Sequence, residues 1–328
     1  MGADITPPVW RFKSKWRQMA GESLEFSCEF CQGIVNVRMK PPEPSPGPLA
    51  ESQKMALVSL LADDDPSVYQ TVRGKLLSYG PSAAEWVKGG SLSDDPVLRR
   101  RSLEIIDYFK RTHADREFLA FCVSNGEQLD IERGGLLLAQ TEYPQINLEA
   151  YSALLDSIAS ELLERLDLNG PAEDILNIIN FHLFEEMRFK GNSQGFAEPQ
   201  DNYLNRVLDR RTGNPASLCL VYLLIAKRLR LPMVGIGLPG YFLCRFQTVR
   251  DEIYIDAFNG GRLLGKADCV RYAVQIHNRV DEGYLAPVSP RRLLLRLCAN
   301  LFQIYSQAQK TDQIDRVQQY LVALAQNG

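Results

Sequence analysis

Histidine is scarce in this chain. Its 328 residues include three, His113, His182 and His277, far apart from one another. No histidine couple or second cysteine pair is therefore available to complete a four-ligand zinc site around the lone Cys28-Glu-Phe-Cys31 motif. Disulfide-scaffold spacing is lacking too. Seven scattered cysteines, an odd number, point to unpaired thiols in a reducing, cytoplasmic compartment. No long apolar run is present. Leu218–Ala226 is the longest, far short of the roughly 20 residues that cross a bilayer. The N-terminus carries Asp4 early and no apolar stretch, unlike a secretory signal. Blocks of basic residues are also missing. With 37 Lys and Arg against 40 Asp and Glu, the net charge is −3, and nothing recommends nucleic acid or a membrane as partner. No cofactor or metal is called for.

What is present suits a globular protein of about two domains: 45% apolar and 23% charged residues. Residues 1–50 stand apart. Trp10, Phe12, Trp16 and Met19 give a short apolar face, and Pro41, Pro42, Pro44, Pro46 and Pro48 make a stiff linker. In residues 51–140, Ala62-Asp-Asp-Asp-Pro66-Ser-Val is echoed by Ser93-Asp-Asp-Pro96-Val-Leu. Each places an acidic cap before a proline in a first helical turn, where the missing N–H costs nothing. Apolar residues follow at helical spacing, and the period of about 30 residues resembles helical-hairpin arrays of the HEAT kind. A core region, 141–289, continues with helices at Ile146–Leu166, Asp174–Phe189 and Asn202–Asp209. Asn214 and Pro215 then open a helix, Ser217–Leu231, that is apolar on nearly every side and so should be buried. Met233–Gly237, Tyr241–Phe246 and Glu252–Phe258 read as antiparallel strands. Residues 290–328 close the chain as a helical hairpin, Leu293–Gln309 with Asp312–Ala325. The expected fold is α+β, predominantly helical, with a small antiparallel sheet.

Gly235-Ile-Gly237-Leu-Pro-Gly240 matches a dinucleotide-binding G-x-G-x-x-G. That site needs its last glycine to open a helix whose N-terminus holds the pyrophosphate. Here Pro239 interrupts the motif and Tyr-Phe-Leu-Cys-Arg-Phe follows, a strand, so the match is rejected.

A buried helix with a polar residue near its start, followed by two strands each carrying a polar residue, is the layout of papain-like and transglutaminase-like cysteine enzymes. The helix N-terminus acidifies the thiol, one strand supplies a histidine and the next an orienting carboxylate. Leu183-Phe-Glu-Glu-Met-Arg-Phe-Lys-Gly-Asn192, Asn202–Pro215, Gly237-Leu-Pro-Gly-Tyr-Phe-Leu-Cys-Arg245 and Ile255-Asp-Ala-Phe-Asn-Gly-Gly261 together resemble the bacterial SirB-type transglutaminase-like family. Glu142-Tyr-Pro144 fits its lead-in. The resemblance runs from about Leu60 to the C-terminus. It implies a helical N-terminal part, a transglutaminase-like core and a tetratricopeptide-like tail, here reduced to the final hairpin.

Carried over residue by residue, Asp256 takes the family's carboxylate position and Tyr241 stands where most members have the histidine of Pro-Gly-His-Phe. A phenol titrates near pH 10 and is no base at neutral pH. Ser217 matches the nucleophile position. Cys219 lies about 200° away around the helix and suits a small buried core residue. His182, beside Phe181 and Phe184, is the one histidine inside the matched core. Asn259-Gly260-Gly261 reads as a tight turn with positive φ. Ser217, Cys219, Tyr241 and Asp256 thus form a vestigial site. The expectation is a transglutaminase-like protein that binds a protein or peptide without catalysis. The alternative is an acyl transferase or hydrolase using Cys219 or Ser217 with a base from elsewhere.

Overall fold

The structure is a computed structural model in which residues 47–193, 198–238, 240–277 and 285–326 are described. Trp10, Phe12, Trp16, Met19, Cys28, Cys31 and most of the proline-rich linker fall outside them. The chain divides into Met1–Pro42 and Glu43–Gly328, and the architecture below is that of the second unit.

Helices come first: α1 Glu51–Ser59, α2 Pro66–Ser78, α3 Ser82–Trp86, α4 Lys88–Ser91 and α5 Pro96–Ser124. The two acidic-proline echoes are helix starts. The Asp65 carboxylate accepts from the Ser67 amide at 2.8 Å and that of Asp95 from the Val97 amide at 2.8 Å, each with proline in the first turn. These segments enclose a small core of their own, Leu61, Val72, Leu76, Ala83, Val87, Ile105 and Phe109. Arg101 ties it off by donating to the Leu61 and Asp63 carbonyls, both at 2.7 Å, with its guanidinium over Tyr69.

The larger core collects α5 together with α6 Ile131–Glu142, α7 Leu148–Leu163, α8 Ala172–Asn180, α9 Leu204–Arg210 and α10 Pro215–Arg228. The long helix expected from Asp174 to Phe189 changes character halfway. After α8 the backbone widens into a π turn, Phe181–Glu186, where the Met187 amide donates to the His182 carbonyl at 2.9 Å. Two short strands, β1 Lys190–Gly191 and β2 Thr212–Gly213, then pair in parallel, Lys190 with Thr212 and Gly191 with Gly213. Arg188 and Arg211, just outside this ladder, both adopt left-handed backbone, φ 61° and 52°, which costs a non-glycine residue about 1–2 kcal/mol.

The main sheet runs β6-β5-β4-β3-β7, with β3 Met233–Leu238, β4 Tyr241–Gln247, β5 Glu252–Asp256, β6 Arg262–Leu264 and β7 Pro287–Val288, all neighbours antiparallel. Gly235, Gly237 and Gly240 lie on or beside the β3–β4 hairpin, with Leu238 opposite Tyr241, in a strand setting that no pyrophosphate-binding helix can share. Strand alternation sorts β4 onto two buried faces. Phe242, Cys244 and Phe246 enter the large core with α10, whereas Tyr241 and Leu243 join Ile236, Leu238, Tyr254 and Cys269 on the other face. Cys269 belongs to α11 Lys266–His277.

The closing hairpin is α12 Pro290–Gln307 and α13 Thr311–Ala325. It is locked to α5 through Arg291, 1% exposed. The guanidinium donates to the Leu324 and Ala323 carbonyls at 2.7 and 2.8 Å and to those of Cys122 and Asn125 at 2.9 and 2.8 Å. These carbonyls belong to helix C-termini, where backbone acceptors lack intrahelical partners and the helix dipole favours a cation. The whole is an α+β fold, predominantly helical, with a small antiparallel sheet.

Candidate functional site

The start of α10 is held by a polar cluster. The Asn214 side chain accepts from the amides of Ala216 and Ser217 at 2.9 and 3.0 Å, and donates to the Asn202 Oδ1 at 2.7 Å and the Asp201 carbonyl at 3.1 Å. Asp201, 1% exposed, accepts from Asn192 at 2.7 Å and from Arg210 at 3.0 Å. Arg210 also reaches Glu198 at 2.6 Å. Ser217 completes this scaffold: its Oγ accepts from the Asn214 amide at 3.0 Å and donates to the Asn214 carbonyl at 3.2 Å. The hydroxyl that matched the nucleophile position is thus engaged in closing its own helix, in the reciprocal capping arrangement.

Cys219 is fully buried. It packs in the large core, and its carbonyl accepts from the Cys244 thiol at 3.7 Å. Burial is the main cause that pushes its own thiol far above the ordinary range, and the nearby Cys244 and Asp256 push in the same direction. A nucleophilic thiol requires the opposite shift. Sequence and structure agree on a core position for Cys219, and both set it apart from Ser217.

Tyr241 and Asp256 meet on the other face of the sheet. The Tyr241 hydroxyl donates to Asp256 Oδ1 at 2.8 Å. Asn259 Nδ2 donates to Asp256 Oδ2 at 2.6 Å and to the Tyr241 oxygen at 2.9 Å, while the Asn259 amide reaches Asp256 Oδ1 at 3.2 Å. The Tyr241 ring is packed by Phe258 and Tyr272, with centroids at 6.1 and 5.5 Å. Burial first, then the adjacent Asp256 charge, raises the phenol pKa. Burial also raises that of Asp256, opposed by donors from Asn259 and Tyr241. Among the described residues no ion pair joins this carboxylate to a cation; its donors are Asn259, Tyr241 and backbone N–H groups. Cys269 beneath it is pushed to about 12, chiefly by burial and then by the charges of Asp268 and Asp256.

Asn259 is the member of this group that sequence reasoning did not assign. Its segment was recognised as a turn, and Gly260 and Gly261 do take φ 69° and 74°, but the amide side chain bridging phenol and carboxylate was not foreseen. Its signal is an Asn three residues after Asp256 in a short turn, the spacing of a side chain that folds back on the cap. Gly261 has a second duty. A Cβ there would fall 2.4 Å from the Asn180 side chain, which donates to the Gly261 carbonyl at 2.6 Å and accepts from Tyr222 at 3.0 Å.

His182 faces a different neighbourhood. Its Nδ1 lies 2.6 Å from Glu186, which also binds Arg165, and its Nε2 lies 3.8 Å from Glu161 of α7. The Nδ1 bond holds the imidazole at the junction of α7 and the π turn, while the buried Nε2 has no hydrogen-bond partner among the described residues. Two surface grooves are also present, of about 570 and 500 Å³. The first lies between Leu163, Leu168, Ile175, Leu231 and Phe246, the second between Arg165, Asn177, Ile178 and Phe181. Neither is lined by Ser217, Tyr241 or Asp256. Among the described residues no cluster of three metal-ligating side chains occurs, and no helix is long and apolar enough to cross a membrane.

A buried helix abutting an antiparallel sheet, with a strand-borne carboxylate at the end of β5, defines a transglutaminase-like core. The profile of the transglutaminase-like superfamily matches residues 149–299. The chain is 30% identical over 208 residues to a UPF0162 protein of Xylella fastidiosa, covering 61% of this chain and 74% of that protein, and it belongs to this transglutaminase-like family. A UPF0162 protein of Pseudomonas aeruginosa is 36% identical over 127 residues, 36% of this chain and 46% of the relative. F-box only protein 21 of Mus musculus is 32% identical over 153 residues, 44% of this chain but 23% of that protein. No solved structure matches.

Proposed function

We propose that this chain is a cytoplasmic, SirB-type transglutaminase-like module that binds a protein or peptide and performs no acyl transfer. The observation that carries this is the Tyr241 hydroxyl locked between Asp256 and Asn259, at the position where the resemblance places a histidine base. A buried phenol whose pKa is raised does not take a proton from a thiol or alcohol near neutral pH. Both nucleophile candidates are spent elsewhere: Ser217 on its helix cap, Cys219 in the core. The match to F-box only protein 21, spanning 23% of that longer protein, supports a module that works joined to other parts. Buried, unpaired cysteines among the described residues fit a reducing cytoplasm.

The test uses the purified full chain with a glutamine-donor peptide plus a primary-amine probe, and separately with an activated ester. No turnover above that of Asp256→Ala is expected. Turnover abolished by Cys219→Ala or Ser217→Ala would instead make the chain an acyl transferase or hydrolase.

A further inference from the structure

Although the chain carries a small net negative charge, the fold gathers cations where the sequence shows no basic block. Arg188 follows the π turn by two residues, Lys190 lies on β1 and Arg211 precedes β2. The parallel ladder joins them: the Lys190 amide donates to the Arg211 carbonyl at 2.9 Å, and Lys190 is in register with Thr212. The Arg211 guanidinium folds across to donate to the Met187 carbonyl at 2.9 Å, the residue before Arg188. All three side chains are exposed. No ion pair joins any of them to a carboxylate among the described residues. Of the nearby acids, Glu186 is held by Arg165 and His182, and Asp201 and Glu198 by Arg210. Glu185 is exposed on the π turn and makes no ion pair with the three.

Two further features set this corner apart. Arg188 and Arg211 both hold left-handed backbone, a conformation that few non-glycine residues adopt. The corner is also pinned to the site. A Cβ on Gly191 would meet the Phe258 ring at 2.6 Å and its carbonyl oxygen at 2.7 Å, so β1 lies directly on the turn that carries Asn259. Exposed, uncompensated guanidinium and ammonium groups favour carboxylates, and such a patch steers an oppositely charged partner.

We propose that Arg188, Lys190 and Arg211 form a docking corner for an acidic peptide segment of a protein partner, at the lip of the transglutaminase-like core. This rests on the module reading above and names the chemistry of its partner.

The test is fluorescence anisotropy of the full chain with fluorescein-labelled octaglutamate at low salt, with octaglutamine and a single-stranded oligonucleotide as competitors. Octaglutamate binding should weaken about tenfold in the Arg188→Gln/Lys190→Gln/Arg211→Gln variant, the sum expected of three exposed charge contacts. It should also fall as salt shortens the screening length. Lys190→Glu, whose side chain makes no hydrogen bond or ion pair among the described residues, should weaken binding about threefold with an unchanged melting temperature. Equal binding by wild type and both variants overturns the proposal. So does competition by the oligonucleotide at lower concentration than unlabelled octaglutamate, which would make the corner a nucleic-acid contact. Acyl turnover with charge-dependent binding intact would sink the module reading and keep the corner. No turnover and no charge-dependent binding would do the reverse.

Discussion

Two buried aspartates, Asp201 and Asp256, differ in company. Asp201 beneath the start of α10 is matched by Arg210 at 3.0 Å and by Asn192. Asp256 at the end of β5 is held by a phenol, an amide side chain and backbone N–H groups. Burial raises the pKa of both, but Asp201 has a cation to offset it. The first is scaffold: it fixes where a helix begins. The second stands where the family resemblance places a site carboxylate, and neutral donors beside Tyr241 hold it there. A buried carboxylate without a cation is expensive, and the fold keeps it by surrounding it with donors.

Removing the scaffold carboxylate should cost most. Asp201→Ala leaves Arg210 and Asn192 without their shared partner, while the Asn214 bond to the Asp201 carbonyl and the Arg210 bond to Glu198 remain. A loss of about 3 kcal/mol is expected in urea unfolding, the lower end for a broken buried pair because Arg210 keeps some solvent contact. A loss below that of Tyr241→Phe would reverse the ranking. Tyr241→Phe takes one donor from Asp256 and one acceptor from Asn259 and should cost about 1–3 kcal/mol. An unchanged stability would show that the phenol contributes packing alone.

The pH dependence probes Asp256 directly. A folded-state pKa raised above the unfolded value of 3.8 means stability that is full below the unfolded value and declines as pH rises through the folded one. Wild type should therefore lose ground to Asp256→Asn as pH rises from about 4 to 7. Melting temperatures of the pair across that range decide it, and a constant gap would refute the raised pKa. The smallest effect concerns Cys219. Its labelling by iodoacetamide near neutral pH should be as slow as for other core thiols and become fast on unfolding. Rapid labelling of the native chain would return Cys219 to the list of nucleophiles.

Much of the fold was legible because its signals are local. Asp65-Pro66 and Asp95-Pro96 start helices, since a cap and a first-turn proline act within a few residues. The Ser217–Leu231 stretch reads as buried because it is apolar all round. The strands around Gly235 and Gly240 dismiss a nucleotide loop on the same local grounds. The π turn at Phe181–Glu186 was read as plain α-helix, since widening by one residue leaves the apolar pattern nearly unchanged and is decided by packing of Asn180 and Phe184 against Gly261 and Tyr222. The parallel ladder of β1 and β2 escaped because two-residue strands carry no periodicity.

By itself the sequence determined the helix starts, the antiparallel strands and the presence of a phenol, not an imidazole, at position 241. Only the tertiary structure decided how the surviving groups are used. Ser217 turns back to its own cap, Cys219 and Tyr241 part onto opposite faces of a sheet, Asn259 bridges Tyr241 and Asp256, and three cations from separate segments share one corner. The reason is distance along the chain. Caps and alternation are set by neighbours within one turn or one pleat, and the Ser217 and Asn259–Asp256 bonds, three residues apart, are of that kind. The contacts of Tyr241 with Asp256, Cys244 with Cys219 and Arg211 with Met187 join residues from 15 to more than 20 positions apart, and the choice among partners at that range belongs to packing.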